Sequence, residues 1–274
     1  MPELPEVETV KRIIEPQIKG LSIRDVIVNR PEVVAYPDAD RFIKSLRNQT
    51  VKGIERRGKF LTILLESGDR VSIHLRMTGC LLFAPPDFET ARHTHIILQM
   101  SNKWNLQFTD TRRFGRFWYL KADEEDTVTS IRKLGMEPFD RGLNRQYLAD
   151  RLGHRKKPIK ECLLDQTIVA GIGNIYSDEI LFASGIDPFR PANTLTGHEW
   201  DVLADNIPKR LEYFIEKNRI SPEEYLAGNG RDYRNTPYLQ VYGKTGQPCP
   251  VCGELLQRRV IGGRSSVYCP VCQH

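Results

Sequence analysis

The sequence predicts an α+β protein, in which an N-terminal antiparallel β-sandwich is capped by the N-terminal helix and a C-terminal helical domain follows. The prediction rests on the spacing of apolar residues along the chain. They first recur at helical spacing, then occur in short runs separated by turn residues between residues 26 and 120, and return to helical spacing beyond residue 143. The length of 274 residues corresponds to about two domains of ordinary size.

The opening helix is predicted from the helical spacing of Val7, Val10, Ile13 and Ile14. We expect it to end near Pro16, because a proline has no backbone N–H to donate within a helix. This helix would cover one face of the following sheets.

Two hairpins are predicted in the stretch of short apolar runs. Residues 60–65 and 71–75 flank one turn, and residues 94–100 and 104–108 flank another. Closely spaced strands and turns of this kind are typical of an antiparallel sandwich or barrel.

The second half of the chain is predicted to be helical. The connection Thr167–Asn174 contains two glycines, and Asn174 is expected to cap the helix that follows. Asn218–Tyr238 is polar and is expected to form a loop. The predicted helices are 143–152, 158–166, 175–184 and 197–217, and the predicted domains are 1–130, 131–238 and 239–274.

Composition excludes several classes of protein. With 40% apolar and 27% charged residues, the chain is neither disordered nor fibrous, and it has no apolar run of about 18 residues for a membrane span. The acidic N-terminus does not resemble a secretory leader, so we expect a cytoplasmic protein. The net charge of +5 is compatible with nucleic-acid binding but does not require it. Two isolated cysteines, Cys80 and Cys162, are assigned only to packing.

Four cysteines near the C-terminus have the spacing of a zinc ribbon. Cys249 and Cys252 form one Cys-x2-Cys pair, and Cys269 and Cys272 form another after sixteen intervening residues. Chance proximity or disulfide formation is the competing interpretation. Four thiolates would close the coordination shell, so the expected cofactor is one structural Zn²⁺ ion.

Basic side chains occur in short clusters within separate elements. Each cluster alone is best explained as a solvated surface, but their combination with a basic ribbon favours nucleic-acid binding. Phe114 lies among arginines and is either a wedge for a base stack or an ordinary buried aromatic. The clusters are residues 56–59, 112–116 and 155–160, and the ribbon arginines Arg258, Arg259 and Arg264. The glycine pair 262–263 is expected to form a tight turn that directs Arg264 outward.

Taken together, these residues resemble the formamidopyrimidine-DNA glycosylase and endonuclease VIII family, and within it the bacterial formamidopyrimidine-DNA glycosylases. The similarity extends in order from residue 2 to residue 272. The matching motifs are Pro2–Thr9, Arg56–Phe60, His74–Met77, Asp110–Gly115, Leu164–Tyr176 and the terminal ribbon with Gly263 and Arg264.

The resemblance implies a bifunctional DNA glycosylase and abasic-site lyase that uses its N-terminus as a reagent. Removal of Met1 would expose the secondary amine of Pro2, which attacks the sugar, expels the base and forms an iminium that promotes β,δ-elimination. Glu3 would be the general acid, and Glu6 would orient it. Without the other motifs, ordinary capping of a helix explains the same acidic first turn.

The resemblance also implies which residues contact DNA. Met77, Arg112 and Phe114 would fill the gap left by a flipped nucleotide. Lys59 and Arg264 complete the implied catalytic set through phosphate contacts. Asn174 matches a further phosphate contact, His74 and Lys160 match it more weakly, and residues 158–184 match the helix-two-turns-helix motif.

The implied partner is double-stranded DNA that contains oxidised purines or abasic sites, with no membrane, and the protein is expected to be a monomer. The loop before the ribbon departs from the family pattern, because residues 217–226 lack the Gly-Gly-Ser-Ser and Arg-Thr-Tyr runs. Two alternatives therefore stay open: a lyase for oxidised pyrimidines or abasic sites alone, and a zinc-ribbon protein that binds damaged DNA without cutting it.

Overall fold

The computed structural model describes residues 2–230 and 233–274, and its first element is helix α1, Leu4–Ile18. The predicted apolar positions, such as Val7 and Ile14, are buried. The helix ends at Ile18, two residues beyond Pro16 and close to the expected end. Pro16 is exposed, and the burial of Ile18 offsets the hydrogen bond that Pro16 cannot donate.

The first half of the chain forms two sheets. The strands are β1 Ile23–Val28, β2 Val34–Tyr36, β3 Val51–Arg57, β4 Phe60–Leu65, β5 Arg70–His74, β6 Gly79–Ala84, β7 Thr94–Met100, β8 Asn105–Asp110 and β9 Arg116–Leu120. One sheet has the strand order β1-β7-β8-β6, and the other has the order β2-β9-β5-β4-β3, in which the β2–β9 pair is parallel and the other pairs are antiparallel. Helix α2, Ala39–Leu46, follows β2.

Both sheets and α1 share one hydrophobic core. Its buried members include Val10 on α1, Ile63 on β4 and Phe108 on β8. The two hairpins expected from the sequence are the antiparallel pairs β4–β5 and β7–β8. The predicted β-sandwich with an N-terminal helix is confirmed.

The second half is built from helices around a separate core and ends in a small hairpin. Its core includes Ile172, Tyr176, Leu203 and Phe214. All four predicted helices are present, although the one predicted at residues 158–166 is shorter than expected. Within residues 2–230 and 233–274, no helix has the length and apolarity that a membrane crossing requires. The elements are α3 Arg145–Leu152, α4 Ile159–Leu163, α5 Asn174–Ala183, α6 Gly197–Lys217, β10 Gln257–Ile261 and β11 Arg264–Tyr268.

The segment before the ribbon contains a helix that the sequence analysis did not predict. Helix α7, Pro222–Ala227, begins with a capping box, in which Ser221 accepts a hydrogen bond from the Glu224 amide and the Glu224 side chain accepts one from the Ser221 amide. Tyr225 is buried on this helix. The expectation of an irregular loop was therefore wrong here, because the Ser-Pro-Glu-Glu capping signal was overlooked. Arg231 and Asp232, in the same stretch, lie outside the described residues.

The chain divides into two compact units. The first contains Pro2, Glu6–Arg132 and Asn218–Arg234, and the second contains Glu3–Pro5, Lys133–Lys217 and Asn235–His274. The segment that carries α7 thus packs with the sandwich rather than with the preceding helices. The division into domains 1–130, 131–238 and 239–274 stays a prediction.

Candidate functional site

The two residues expected to carry the chemistry, Pro2 and Glu3, are both buried. The Oε1 atom of Glu3 accepts a hydrogen bond from the Ile175 amide at 3.0 Å, and its Oε2 atom accepts one from the Tyr176 amide at 3.3 Å. Both amides belong to the first turn of α5, where the N–H groups have no partner within the helix and the dipole is positive. The acid therefore has a defined position. Met1 lies outside the described residues.

The connection before α5 has the shape needed to receive Glu3. A Cβ atom on Gly173 would lie 2.3 Å from the Glu3 Cδ atom, so only glycine fits there. Gly171 has a φ of +92°, and a Cβ atom on it would lie 2.5 Å from the Leu4 Cδ1 atom. The two glycines seen in the sequence thus serve a close approach of the N-terminal residues.

Gln166 holds this connection in place. Its Nε2 atom donates to the carbonyl oxygens of Ile172 at 2.7 Å and Leu164 at 3.1 Å, while its Oε1 atom accepts from the Gly171 amide at 3.0 Å. Sequence reasoning did not assign this glutamine a role, since a single Gln carries no pattern.

Asn174 does not cap α5 as expected. Gly173 occupies the N-cap position, and Asn174 is the first residue of the helix. Its Oδ1 atom is buried and has no hydrogen-bond partner among residues 2–230 and 233–274. The Asn174 side chain therefore does not form the capping hydrogen bond of α5.

Met77, Arg112 and Phe114 lie in two neighbouring turns of the first unit, β5–β6 and β8–β9. The Nη1 atom of Arg112 donates to the Met77 Sδ atom at 2.9 Å, and its Cζ atom lies 4.6 Å from the centroid of the Phe114 ring. Met77 is 41% exposed and Phe114 45% exposed, so Phe114 is not the buried aromatic of the competing interpretation. The structure brings these three side chains together at the surface.

Two residues to which the sequence analysis gave no individual role, Thr78 and Asp110, connect these turns. The Asp110 carboxylate accepts hydrogen bonds from the Gly115 amide at 2.7 Å, the Arg112 amide at 3.1 Å and the Thr78 hydroxyl. An Asp that precedes a turn commonly binds backbone amides further along it, and this signal could have identified Asp110.

Lys59 and His74 lie close to each other at one end of the five-stranded sheet. Lys59 follows Gly58 in the two-residue turn between β3 and β4, and its neighbour Phe60 pairs with His74 across β4 and β5. The Nδ1 atom of His74 accepts a hydrogen bond from the Arg76 amide at 3.0 Å. Burial, together with the positive charges of Arg76 and Lys59, lowers the pKa of His74 to about 3. At neutral pH its ring is uncharged, and the remaining proton is on Nε2.

Lys160 is placed differently from a phosphate contact. Its side chain is 0% exposed, and its Nζ atom donates to Asp178 Oδ1 at 2.7 Å and to the Ser265 carbonyl at 3.0 Å. Asp178 also accepts from the Ser266 hydroxyl at 2.6 Å and the Val267 amide at 3.0 Å. In this conformation the ammonium group cannot reach a ligand, and it ties β11 to α4 and α5.

Arg264 is exposed at the beginning of β11. The preceding turn consists of Gly262 and Gly263, whose φ values are +51° and +75°. A two-residue turn with both residues in the left-handed region is the favoured connection of a hairpin. The expected tight turn is confirmed, and it directs Arg264 outward.

The four ribbon cysteines form a cluster of free thiols in which all four Sγ atoms lie within 4.8 Å of one another. Cys252 and Cys269 are 3.5 Å apart, and Cys249 and Cys272 are 3.9 Å apart. A tetrahedron with Zn–S bonds of about 2.3 Å has edges of about 3.8 Å, so the donors fit zinc. Four protein ligands leave no position for a water or substrate, and the zinc is structural.

Three family models match successive parts of the chain. They are the formamidopyrimidine-DNA glycosylase N-terminal domain over residues 1–117, the formamidopyrimidine-DNA glycosylase H2TH domain over 134–224, and a zinc finger found in FPG and IleRS over 246–274. The expected helix-two-turns-helix region falls within the second match.

Whole-chain relatives agree with these models. The chain is 42% identical to a formamidopyrimidine-DNA glycosylase of Pelotomaculum thermopropionicum, covering 100% of this chain and 99% of that protein. It is 45% identical to the one of Moorella thermoacetica, covering 94% of each. The fold matches that of Lactococcus lactis Fpg in complex with abasic-site DNA, with a TM-score of 0.91, 33% identity and full coverage of both chains. The protein therefore belongs to the formamidopyrimidine-DNA glycosylase family.

Proposed function

We propose that this protein is a bifunctional DNA glycosylase and abasic-site lyase of base excision repair. The observation that carries the proposal is the buried N-terminal pair, in which Glu3 follows Pro2 and is held by two amides of α5. Family membership supplies the reaction class, and a surface for binding alone would need neither a terminal proline nor an adjacent buried acid.

The chemistry begins at Pro2 once Met1 has been removed. A terminal amine has a pKa near 8, so a useful fraction is neutral and nucleophilic at pH 7. Its nitrogen forms a bond to C1′ of the damaged nucleotide while the bond from C1′ to the base breaks, and Glu3 supplies a proton that helps open the sugar. The resulting iminium withdraws electrons and makes the C2′ proton acidic, so that loss of this proton to solvent breaks the bond from C3′ to the 3′ phosphate. Loss of the C4′ proton to solvent then releases the 5′ phosphate.

Flipping the damaged nucleotide leaves a gap in the base stack. Met77, Arg112 and Phe114 are exposed and adjacent, and we assign them to this gap. The thioether fills space, the guanidinium can donate to the unpaired base opposite, and the aromatic ring can wedge a base step.

Phosphate contacts are assigned to exposed or half-buried donors. Lys59, Arg264 and Asn174 fit this role, and His74 fits it as an uncharged donor. Because Lys160 is enclosed, we assign it to holding the strand that begins with Arg264. The substrate is chromosomal DNA, and we therefore place the enzyme in the bacterial cytoplasm at the nucleoid.

Oxidised purines, such as 8-oxoguanine and formamidopyrimidines, are the substrate class that we assign. A second candidate class is oxidised pyrimidines, because the segment before the ribbon lacks the family's usual runs and contains α7. A solved complex of Lactococcus lactis Fpg, 34% identical to this chain, contains DNA with an oxidised pyrimidine.

Single-turnover excision separates the two classes. Duplexes with 8-oxoguanine opposite cytosine and with thymine glycol opposite adenine should be compared, with Pro2→Gly as the control for N-terminal chemistry. We expect faster excision of 8-oxoguanine. Faster excision of thymine glycol would show that oxidised pyrimidines are the substrate class. Cleavage of abasic sites without excision of either base would show that the protein is a lyase and not a glycosylase.

A further inference from the structure

The turns that carry Met77, Arg112 and Phe114 come from different parts of the chain, and one hydroxyl group links them. The Thr78 hydroxyl donates to Asp110 Oδ1 and accepts from the Arg112 amide at 3.2 Å. Thr78 directly follows Met77. Its side chain therefore joins the turn of Met77 to the turn of Arg112.

Asp110 is fixed on both sides. Its side chain is fully buried, and all three donors to its carboxylate belong to the two turns. Its main-chain carbonyl accepts from the Nε2 atom of the buried His95 at 2.7 Å. A buried acid with several donors holds its surroundings more strongly than a neutral acceptor does.

Both turns adopt backbone conformations that need external support. Arg76 and Arg113, which precede Met77 and Phe114, each have a φ of +57°. Residues other than glycine persist in this region only where the surrounding structure holds them. The hydrogen bonds of Thr78 and Asp110 cross from one turn to the other and contribute to that support.

We propose that Thr78, acting through Asp110, is a positioning residue for insertion of Met77, Arg112 and Phe114 into DNA and for reading of the opposite base by Arg112. This inference rests on the role proposed above for those three side chains. The Arg112–Met77 contact of 2.9 Å spans the same two turns and depends on their register. Without the Thr78 hydroxyl, the side-chain hydrogen bonds from the turn of Met77 to Asp110 and to the Arg112 amide are lost.

Three variants test the inference. Thr78→Val removes the hydroxyl but keeps the shape, and Thr78→Ser restores the hydroxyl. Thr62→Val is a matched control, because it removes a hydroxyl that pairs with the Ser72 hydroxyl at 3.3 Å between β4 and β5 of the five-stranded sheet. Insertion is followed by the fluorescence of 2-aminopurine next to a tetrahydrofuran abasic analogue, which does not require cleavage. Excision is measured for 8-oxoguanine opposite cytosine and opposite adenine.

For Thr78→Val we expect weaker insertion, about tenfold slower excision and a smaller ratio between the two opposite bases, since a hydrogen bond to a charged group is lost. Thr78→Ser and Thr62→Val should match the wild type. Unchanged insertion and an unchanged ratio in Thr78→Val would overturn the inference, as would failure of serine to restore them. If Thr78→Val does not fold, Asp110→Asn is used against the same expectations.

The outcomes also separate this inference from the proposed function. A wild-type protein that inserts its side chains but releases no base and cleaves no abasic site contradicts the proposed function and leaves the positioning role intact. Normal excision and an unchanged opposite-base ratio in Thr78→Val, with an active wild type, contradict the positioning role alone.

Discussion

His74 and Lys59 occupy neighbouring positions, and the phosphate contacts that we propose for them differ in charge. His74 is uncharged at neutral pH because burial and two nearby cations lower its pKa to about 3. It can donate one hydrogen bond from Nε2 without releasing a counterion. Lys59 contributes a charge and therefore a salt-dependent part of the binding free energy.

We predict that Lys59→Ala reduces the slope of log K against log salt concentration by about 0.9, the value for one phosphate contact. His74→Ala should weaken binding without changing that slope. Anisotropy titrations of a tetrahydrofuran duplex at several salt concentrations measure both quantities. Lys52→Ala, an exposed lysine near the start of β3, is the control. An equal change of slope in the two test variants would show that His74 binds as a cation.

The same lowered pKa predicts how stability depends on pH. Between pH 6.5 and about 3, the unfolded chain protonates His74 while the folded protein does not. The unfolded state then binds more protons, so the free energy of unfolding decreases as the pH falls through this range. Denaturant unfolding of the wild type should lose stability more steeply than that of His74→Gln. Parallel curves would contradict the assignment of a neutral, half-buried ring.

At the scale of elements, the connection before α5 decides where the acid sits. Gln166 bonds to both sides of the connection, Gly171 adopts a left-handed backbone, and Gly173 leaves the space that the Glu3 carboxylate fills. The first-turn amides of α5 then hold Glu3 itself. The backbone of this connection and the first-turn amides of α5 therefore fix the position of the Glu3 carboxylate.

We predict that Gly173→Ala lowers base excision about a hundredfold, because a displacement of about 1 Å at a catalytic group has that effect. The added Cβ atom would lie 2.3 Å from the Glu3 carboxyl carbon. Gly142→Ala is the matched control, since its Cβ atom meets only side-chain atoms at 3.0 Å or more. Single-turnover assays with both variants decide the point. Full activity of Gly173→Ala would show that the position of Glu3 is not important.

Sequence periodicity predicted the elements well, but contacts between distant residues were not predictable. The spacing of Val7 to Ile14 located α1, and the glycine pair at 262–263 located the ribbon turn. Helix α7 was missed because its signal is a short capping box and not a periodic apolar stripe. Thr78 was missed for another reason, because its partner Asp110 is 32 residues away and only the fold brings the two together. Gln166 was missed although its partners are close in sequence, because a single glutamine carries no pattern.

Lys160 shows the same limit for charged residues. Its place in a basic cluster suggested a surface contact, yet it is enclosed with Asp178. A basic cluster has the same sequence pattern whether its lysine is exposed or paired inside the protein. Only the structure therefore shows that Lys160 is buried. The zinc ligands, by contrast, were fully predictable, because the spacing of the two Cys-x2-Cys pairs itself encodes the site.

At the scale of the whole molecule, the zinc ribbon carries the exposed Arg264 at the start of β11, and in the proposed mechanism the metal takes no part in the chemistry. The core around Val241, Leu256 and Val267 adjoins the cysteines, and the Lys160–Asp178 pair ties the same strand to the helices. Loss of zinc removes the link among the four cysteines beside this core and should therefore loosen the hairpin that carries Arg264, although the Lys160–Asp178 pair still holds β11.

We predict that zinc chelation lowers the affinity for undamaged, abasic and 8-oxoguanine duplexes by similar factors, because phosphate contacts carry no information on the lesion. Affinities before and after chelation, and after zinc is restored, measure this. Arg264→Ala serves as a comparison that leaves the metal in place. A loss confined to one lesion would mean that the ribbon reads the damage.

The central claim is that Pro2 is the nucleophile, and borohydride trapping with an abasic-site duplex tests it most directly. Intact mass first establishes that Met1 is absent from the sample. We predict a covalent protein–DNA adduct, which peptide mapping places on Pro2. The Pro2→Gly variant should form this adduct less efficiently. No adduct from protein shown to begin at Pro2, or an adduct mapped to a lysine side chain, would contradict the claim.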